Sequence, residues 1–133
     1  MVIRTMRYIK LFENFDKLNK ISLKNVIDLS QKSDVDDVSE WLSKPINKIK
    51  FYYKEEPISM FSDTISEMES TFDEYEDEFD RTEYILDLLE VGGKPMPIFV
   101  ELNDESRFIM EGRHRIVAFS WFGMDKVPVI YVI

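Results

Sequence analysis

Apolar residues recur along this chain with two different periods, and each stretch predicts its own element. Between Tyr8 and Leu18 they stand at Ile9, Leu11, Phe12, Phe15 and Leu18, close to helical spacing, and Ser22 to Leu29 carries a second set at Leu23, Val26 and Ile27. Both stretches predict helices. Ser33 and Asp34 read as a helix start with acids in its first turn; Val35, Val38, Trp41 and Leu42 then share one face, and Pro45 ends the helix. From Ile49 the period drops to two. Ile49, Phe51 and Tyr53 alternate with Lys48, Lys50, Tyr52 and Lys54, which predicts a half-buried strand with a basic outer side.

The next stretch is helical again and strongly acidic. Ile65, Met68, Phe72, Tyr75 and Phe79 recur at intervals of three and four, so one apolar stripe runs past faces that are nearly all carboxylate. Thr64 with Glu67 forms a candidate capping box, and Asp80 with Glu83 offers a second start before Tyr84, Ile85, Leu88 and Leu89. One helix kinked near Asp80 and two separate helices both satisfy this pattern. Gly92-Gly93 stops it, and Pro95 and Pro97 enforce an extended entry to a strand over Ile98–Leu102. Asn103-Asp104-Glu105-Ser106 is turn-forming, so that strand and Arg107–Met110 should pair as a hairpin. Gly112 then permits a backbone turn, residues 114–122 predict a helix, Gly123 stops it, and Lys126 to Val132 close the chain as a strand.

These elements predict an α/β (α+β) chain built on a small mixed sheet. The expected organisation is a helical N-terminal extension over residues 1–44 and one α/β domain over 45–133, with residues 62–90 as an acidic helical insertion. At 133 residues, 44% of them hydrophobic, the chain can bury one real core and is too short for two comfortable ones. It has no apolar run of about 18 residues and no signal-peptide pattern at its start, so no membrane partner is expected. With no cysteine, disulfides and thiolate zinc sites are excluded, and a cytoplasmic location is the expectation.

The net charge of −9 changes the picture only when it is divided. Residues 1–61 hold 11 Lys/Arg against 9 Asp/Glu, residues 91–133 hold 5 against 5, and residues 62–90 hold 1 against 12. The whole excess therefore lies in the predicted insertion. No basic face is wide enough to grip duplex DNA, yet a neutral C-terminal third with Arg107, Arg113 and Arg115 can hold a nucleotide. The acidic segment has three readings: a solvated face, a cation-binding surface, or a surface aimed at a basic protein partner. Its spacing is not that of a calcium loop.

The candidate chemistry is concentrated in Glu111-Gly112-Arg113-His114-Arg115. A strand–glycine–helix junction exposes amide donors at the positive end of the helix dipole, where phosphate or carboxylate is favoured. Arg113 and Arg115 can add forked contacts to the same anion, or can pair with Glu111, Asp104 or the acidic helix. His114, the only histidine, can donate to a phosphate, act as an acid or base near neutral pH, or serve the fold through a hydrogen bond. Phe119, Trp121 and Phe122 can stack on a base or fill the core.

Pro97-Ile98-Phe99-Val100, the turn from Phe108 to Ala118, and Gly123-Met124-Asp125-Lys126-Val127-Pro128-Val129 follow one another in an order that resembles the core of the ParB/sulfiredoxin-like superfamily. The resemblance covers roughly residues 94–133. It implies nucleotide or phosphate binding at the glycine turn, with Gly112, Arg113, His114 and Arg115 as the binding residues. It further implies that Glu111 occupies the place of an acid tied to catalysis or metal contact. The sulfiredoxin cysteine is replaced here by Arg113, which excludes sulfinic acid repair, and with Ile133 directly after the exit strand a complete partition clamp is not expected.

Together these readings predict a nucleotide- or phosphate-binding domain, with Mg²⁺-dependent phosphoryl transfer, NTP hydrolysis and nuclease activity as the open alternatives for its chemistry. Glu111 and His114 are the candidate catalytic residues, Mg²⁺ would accompany the nucleotide, and no residue is assigned to a metal. The rival expectation is a non-catalytic interaction protein whose working surface is the acidic helix of residues 62–90, facing a basic protein partner.

Overall fold

The computed structural model describes residues 19–102 and 107–133. The helix expected over Tyr8–Leu18, the turn at Asn103–Ser106 and the side chain of Arg107 lie outside the described residues. Among those described, the order is β1 (Asn19–Ile21), α1 (Leu23–Leu29), α2 (Lys32–Leu42), β2 (Phe51–Pro57), α3 (Ser62–Thr71), α4 (Glu76–Glu90), β3 (Ile98–Leu102), β4 (Arg107–Glu111), α5 (Arg113–Phe122) and β5 (Lys126–Val132). The expected α/β class is correct. The strands form one five-stranded mixed sheet in the order β1-β2-β5-β3-β4. β1 pairs antiparallel with β2, and β3 with β4. Lys50 and Ile133 donate to each other's carbonyls at 3.1 and 3.2 Å, the reciprocal pattern of an antiparallel pair.

The described residues divide into two compact units, 19–54, 99–102, 107–111 and 129–133 in the first and 55–98 and 112–128 in the second. No division falls at the expected boundary of residues 44 and 45. In the first unit Val26 of α1 and Val35 and Val38 of α2 share one core with Ile49, Phe51, Phe99, Ile130 and Val132. Residues 19–44 therefore supply a strand and the helical side of a core, where an extension was expected. Short helices such as α1 are marginal alone, and burial of Val26 against the sheet supplies what propensity does not. Ser22 caps α1 by accepting from the Asn25 amide at 3.2 Å. α2 starts after Gln31, two residues earlier than Ser33 would place it, and buries Asp34 with Val35 and Val38. Trp41, expected on that buried face, is 63% exposed and lies flat on Phe108 of β4, ring centres 5.6 Å apart. β2 runs further than expected, and its alternation slips: Glu56 is buried where Glu55 would have been.

In the second unit the acidic segment forms two helices. The break falls at Phe72–Tyr75, before the expected kink at Asp80, and Tyr75 takes an extended backbone as the N-cap of α4. Neither capping box forms, because Thr64 and Asp80 both lie inside helices. α4 buries Thr82 and Leu89, one helical face, and the Thr82 hydroxyl donates to the Glu78 carbonyl at 3.0 Å. α5 packs chiefly against α4 and also against α3, burying the run from Arg115 to Phe119. Gly123 ends α5 at φ 87°, as its place in the sequence predicts.

Candidate functional site

The predicted junction forms. α5 starts at Arg113, directly after β4 ends at Glu111, with Gly112 between them at φ 108°. Two constraints select glycine here. The first is the left-handed backbone, which costs an L-residue about 1–2 kcal/mol. The second is space: a Cβ at Gly112 would stand 2.7 Å from the Ile98 Cγ2 and 3.0 Å from the Ile98 Cβ, and Ile98 is fully buried. A bulge precedes the junction. Phe99 faces Glu111 while Val100 faces Ile109, so Met110 is the extra residue on β4. Bulges of this kind re-aim the end of a strand and its side chains.

The residues predicted for the site have separate fates. Arg115 is 9% exposed, and its guanidinium donates to the Pro97 carbonyl at 2.8 Å. Pro97 immediately precedes β3, so this bond fastens the entry of that strand to the first turn of α5. A cation buried in this way is committed to the fold, and Arg115 is poorly placed to meet a ligand. Arg113, at the first position of α5, is exposed. Glu111 ends β4 in the first unit and is half-buried, whereas Gly112 to Arg115 belong to the second.

His114 makes the contact that sequence reasoning missed. Its Nε2 lies 2.6 Å from Oε2 of Glu78 on α4, and the two side chains are 24% and 34% exposed. An ionised carboxylate only accepts hydrogen bonds, so Nε2 carries the proton of this bond, and Nδ1 is the nitrogen left to accept or deliver another. Glu78 was hidden in sequence among 12 acids, and its 36-residue separation from His114 leaves no local pattern to read. One signal was available: Glu78 stands one turn before Thr82 and two before Ile85, on the face of α4 that turns inward.

Of the aromatic residues after the turn, Phe119 and Trp121 serve packing, and Phe122 is exposed. Phe119 is buried, and Trp121 meets Phe72 edge-on at 5.5 Å and Phe79 at 6.0 Å. The Trp121 indole N–H also points to Glu69 Oε2 at 3.4 Å, which fixes the ring against α3. Among the described residues no three His, Asp or Glu side chains are grouped to hold a metal ion. No helix among them is long and apolar enough to cross a membrane. The chain matches no protein-family model, no curated protein and no solved structure.

Proposed function

We propose that the chain binds a phosphate-bearing ligand, a nucleotide in the fullest reading, at the start of α5 through the amides that follow Gly112, the Arg113 guanidinium and the His114 imidazole. The observation that carries this reading is the Glu78–His114 pair at the mouth of a helix N-terminus. A carboxylate on one imidazole nitrogen fixes the ring and its tautomer. The strand, glycine turn, helix and exit strand over residues 98–132 also follow the order of the ParB/sulfiredoxin-like core, which supports a phosphate site at this turn.

Within this reading Arg113 neutralises phosphate charge, α5 contributes its dipole and the amides of its first turn, and His114 Nδ1 moves a proton while Glu78 holds Nε2. Arg115 holds the turn in shape through Pro97 and is left out of the ligand set. Glu111, beside the turn in sequence, is retained as a second candidate acid whose role a substitution decides. Glu78 is engaged by His114, and no three-donor group for Mg²⁺ exists among the described residues. The ion would arrive on the nucleotide's own phosphates, keeping most of its waters, and would neutralise their charge. The reaction class that fits is phosphoryl transfer or hydrolysis, in an intracellular protein.

Calorimetric titration with pyrophosphate, ADP and ATP, each with and without Mg²⁺, tests the binding step. Arg113→Ala should weaken any binding by about 1.5–3 kcal/mol, the range for charge-assisted hydrogen bonds. No heat from any of these ligands at millimolar concentration would remove the proposal.

A further inference from the structure

α4 carries apolar residues on two sides, and among the described residues only one side is buried. Thr82 and Leu89 turn inward, while Tyr84 and Leu88 of the helix and Val91, its C-cap, are 65%, 44% and 82% exposed. Tyr84 and Leu88 stand one turn apart on α4 and Val91 follows at its end, a spacing of four and then three residues like that by which one helix recognises another. The flank of the seam is acidic. Asp80 and Asp87 stand one turn to either side of Tyr84, Asp87 is also one turn from Val91, and Arg81 is the only base in residues 62–90 against 12 acids. Isolated apolar residues on a surface need no explanation, but three in a row at helical spacing, in a segment otherwise given to carboxylates, do.

We infer that this outer face of α4 docks a basic amphipathic helix of a partner protein, with apolar side chains of that helix seated over Tyr84, Leu88 and Val91 and its Lys or Arg residues meeting Asp80 and Asp87. Charge selects the occupant. A second copy of this chain would set one acidic helix against another, and nucleic acid or an anionic lipid surface would meet the same repulsion. A helix with basic flanks meets attraction on the rim and apolar contact at the centre, the arrangement that gives rapid, specific and reversible association. Three anchors make a small interface, which corresponds to a transient complex. This inference does not rest on the phosphate site, since it uses neither Glu78 nor any residue of the glycine turn.

The test uses the full chain and two synthetic helical peptides about 18 residues long, long enough to form helix alone. Both carry the same Leu/Ile seam, one flanked by Lys and Arg, the other by Glu. Backbone amide shifts of the isotope-labelled protein report where each binds, and melting curves confirm that the variants Tyr84→Ser and Leu88→Ser are folded. The expected result is binding of the basic peptide alone, with shifts centred on Tyr84, Leu88 and Val91. Each variant should weaken that binding about tenfold or more, as loss of one central anchor does, and added salt should weaken it further. Equal binding of the acidic peptide, shifts elsewhere, indifference to both substitutions, or no binding of the basic peptide at millimolar concentration would each overturn the inference. Self-association in sedimentation that Leu88→Ser abolishes would assign the face to a second copy and overturn it as well.

Discussion

The imidazole of His114 and the carboxylate of Glu78 meet at 2.6 Å across 36 residues of chain, one from the first turn of α5 and the other from α4. This pair ties the acidic segment to the glycine turn. It also separates one carboxylate from the others of residues 62–90: Glu78 is half-buried and bonded to the only histidine, while most of its neighbours face water. If the pair positions His114 for proton transfer, Glu78→Gln should lower any turnover by more than tenfold and His114→Gln by about 10²–10⁴-fold, with binding of pyrophosphate changed far less. Steady-state assays with ATP and ADP in Mg²⁺ alongside calorimetry read both quantities. Equal losses in affinity and rate would make the pair a binding element only.

Gly112 and Gly123 flank α5 with similar backbones, φ 108° and 87°, but in different surroundings. A Cβ at Gly123 meets nothing within 4 Å, whereas one at Gly112 meets Ile98 at 2.7 Å. Gly123→Ala should therefore cost only the conformational term, about 1–2 kcal/mol. Gly112→Ala adds overpacking against a buried side chain and should cost about 2–5 kcal/mol. Urea unfolding of both variants measures the difference; equal losses would contradict the close approach.

Arg113 and Arg115 are two residues apart and should behave oppositely. Removing the Arg115 side chain leaves the Pro97 carbonyl without its 2.8 Å donor in a buried setting, so Arg115→Met should destabilise the fold by about 1.5–3 kcal/mol. Arg113→Ala, at an exposed position, should change stability by less than about 1 kcal/mol and act on phosphate binding. Thermal melting combined with ligand titration separates the two effects. A destabilised Arg113 variant with a stable Arg115 variant would reverse the assignment.

Glu111 has a single decisive substitution. As a base or metal-orienting group, it should lose most turnover in Glu111→Gln while ligand affinity stays within about tenfold. An unchanged rate would leave proton handling to His114 alone.

The C-terminal third was the most legible part of the chain. Its apolar runs are short and bounded by Pro95, Pro97, Gly112 and Gly123, so propensity, turn chemistry and burial agreed, and β3, β4, α5 and β5 lie within a residue of where the pattern puts them. The acidic segment was read less well. Its apolar stripe was continuous in sequence, but Tyr75 left it to start α4, and with apolar residues on both sides of that helix periodicity alone does not say which side is buried. Residues 19–44 read as an appendage because their three-residue strand, Asn19–Ile21, shows no alternation, and pairing with β2 across the register Ile21–Phe51 is a long-range fact. At the site, the turn and its glycine were visible because they are local. The partners of Arg115 and His114 were not, since Pro97 and Glu78 are brought to them only by the fold.

The most direct measurement of the central claim is a titration of the isotope-labelled chain with pyrophosphate, followed at every backbone amide. The phosphate site predicts saturable shifts that begin at Gly112, Arg113 and His114, fade along α5, and weaken by about 10–100-fold in Arg113→Ala. Shifts confined to other segments, or no saturation by about 10 mM ligand, where even a millimolar site would be largely filled, would contradict a phosphate site at the start of α5.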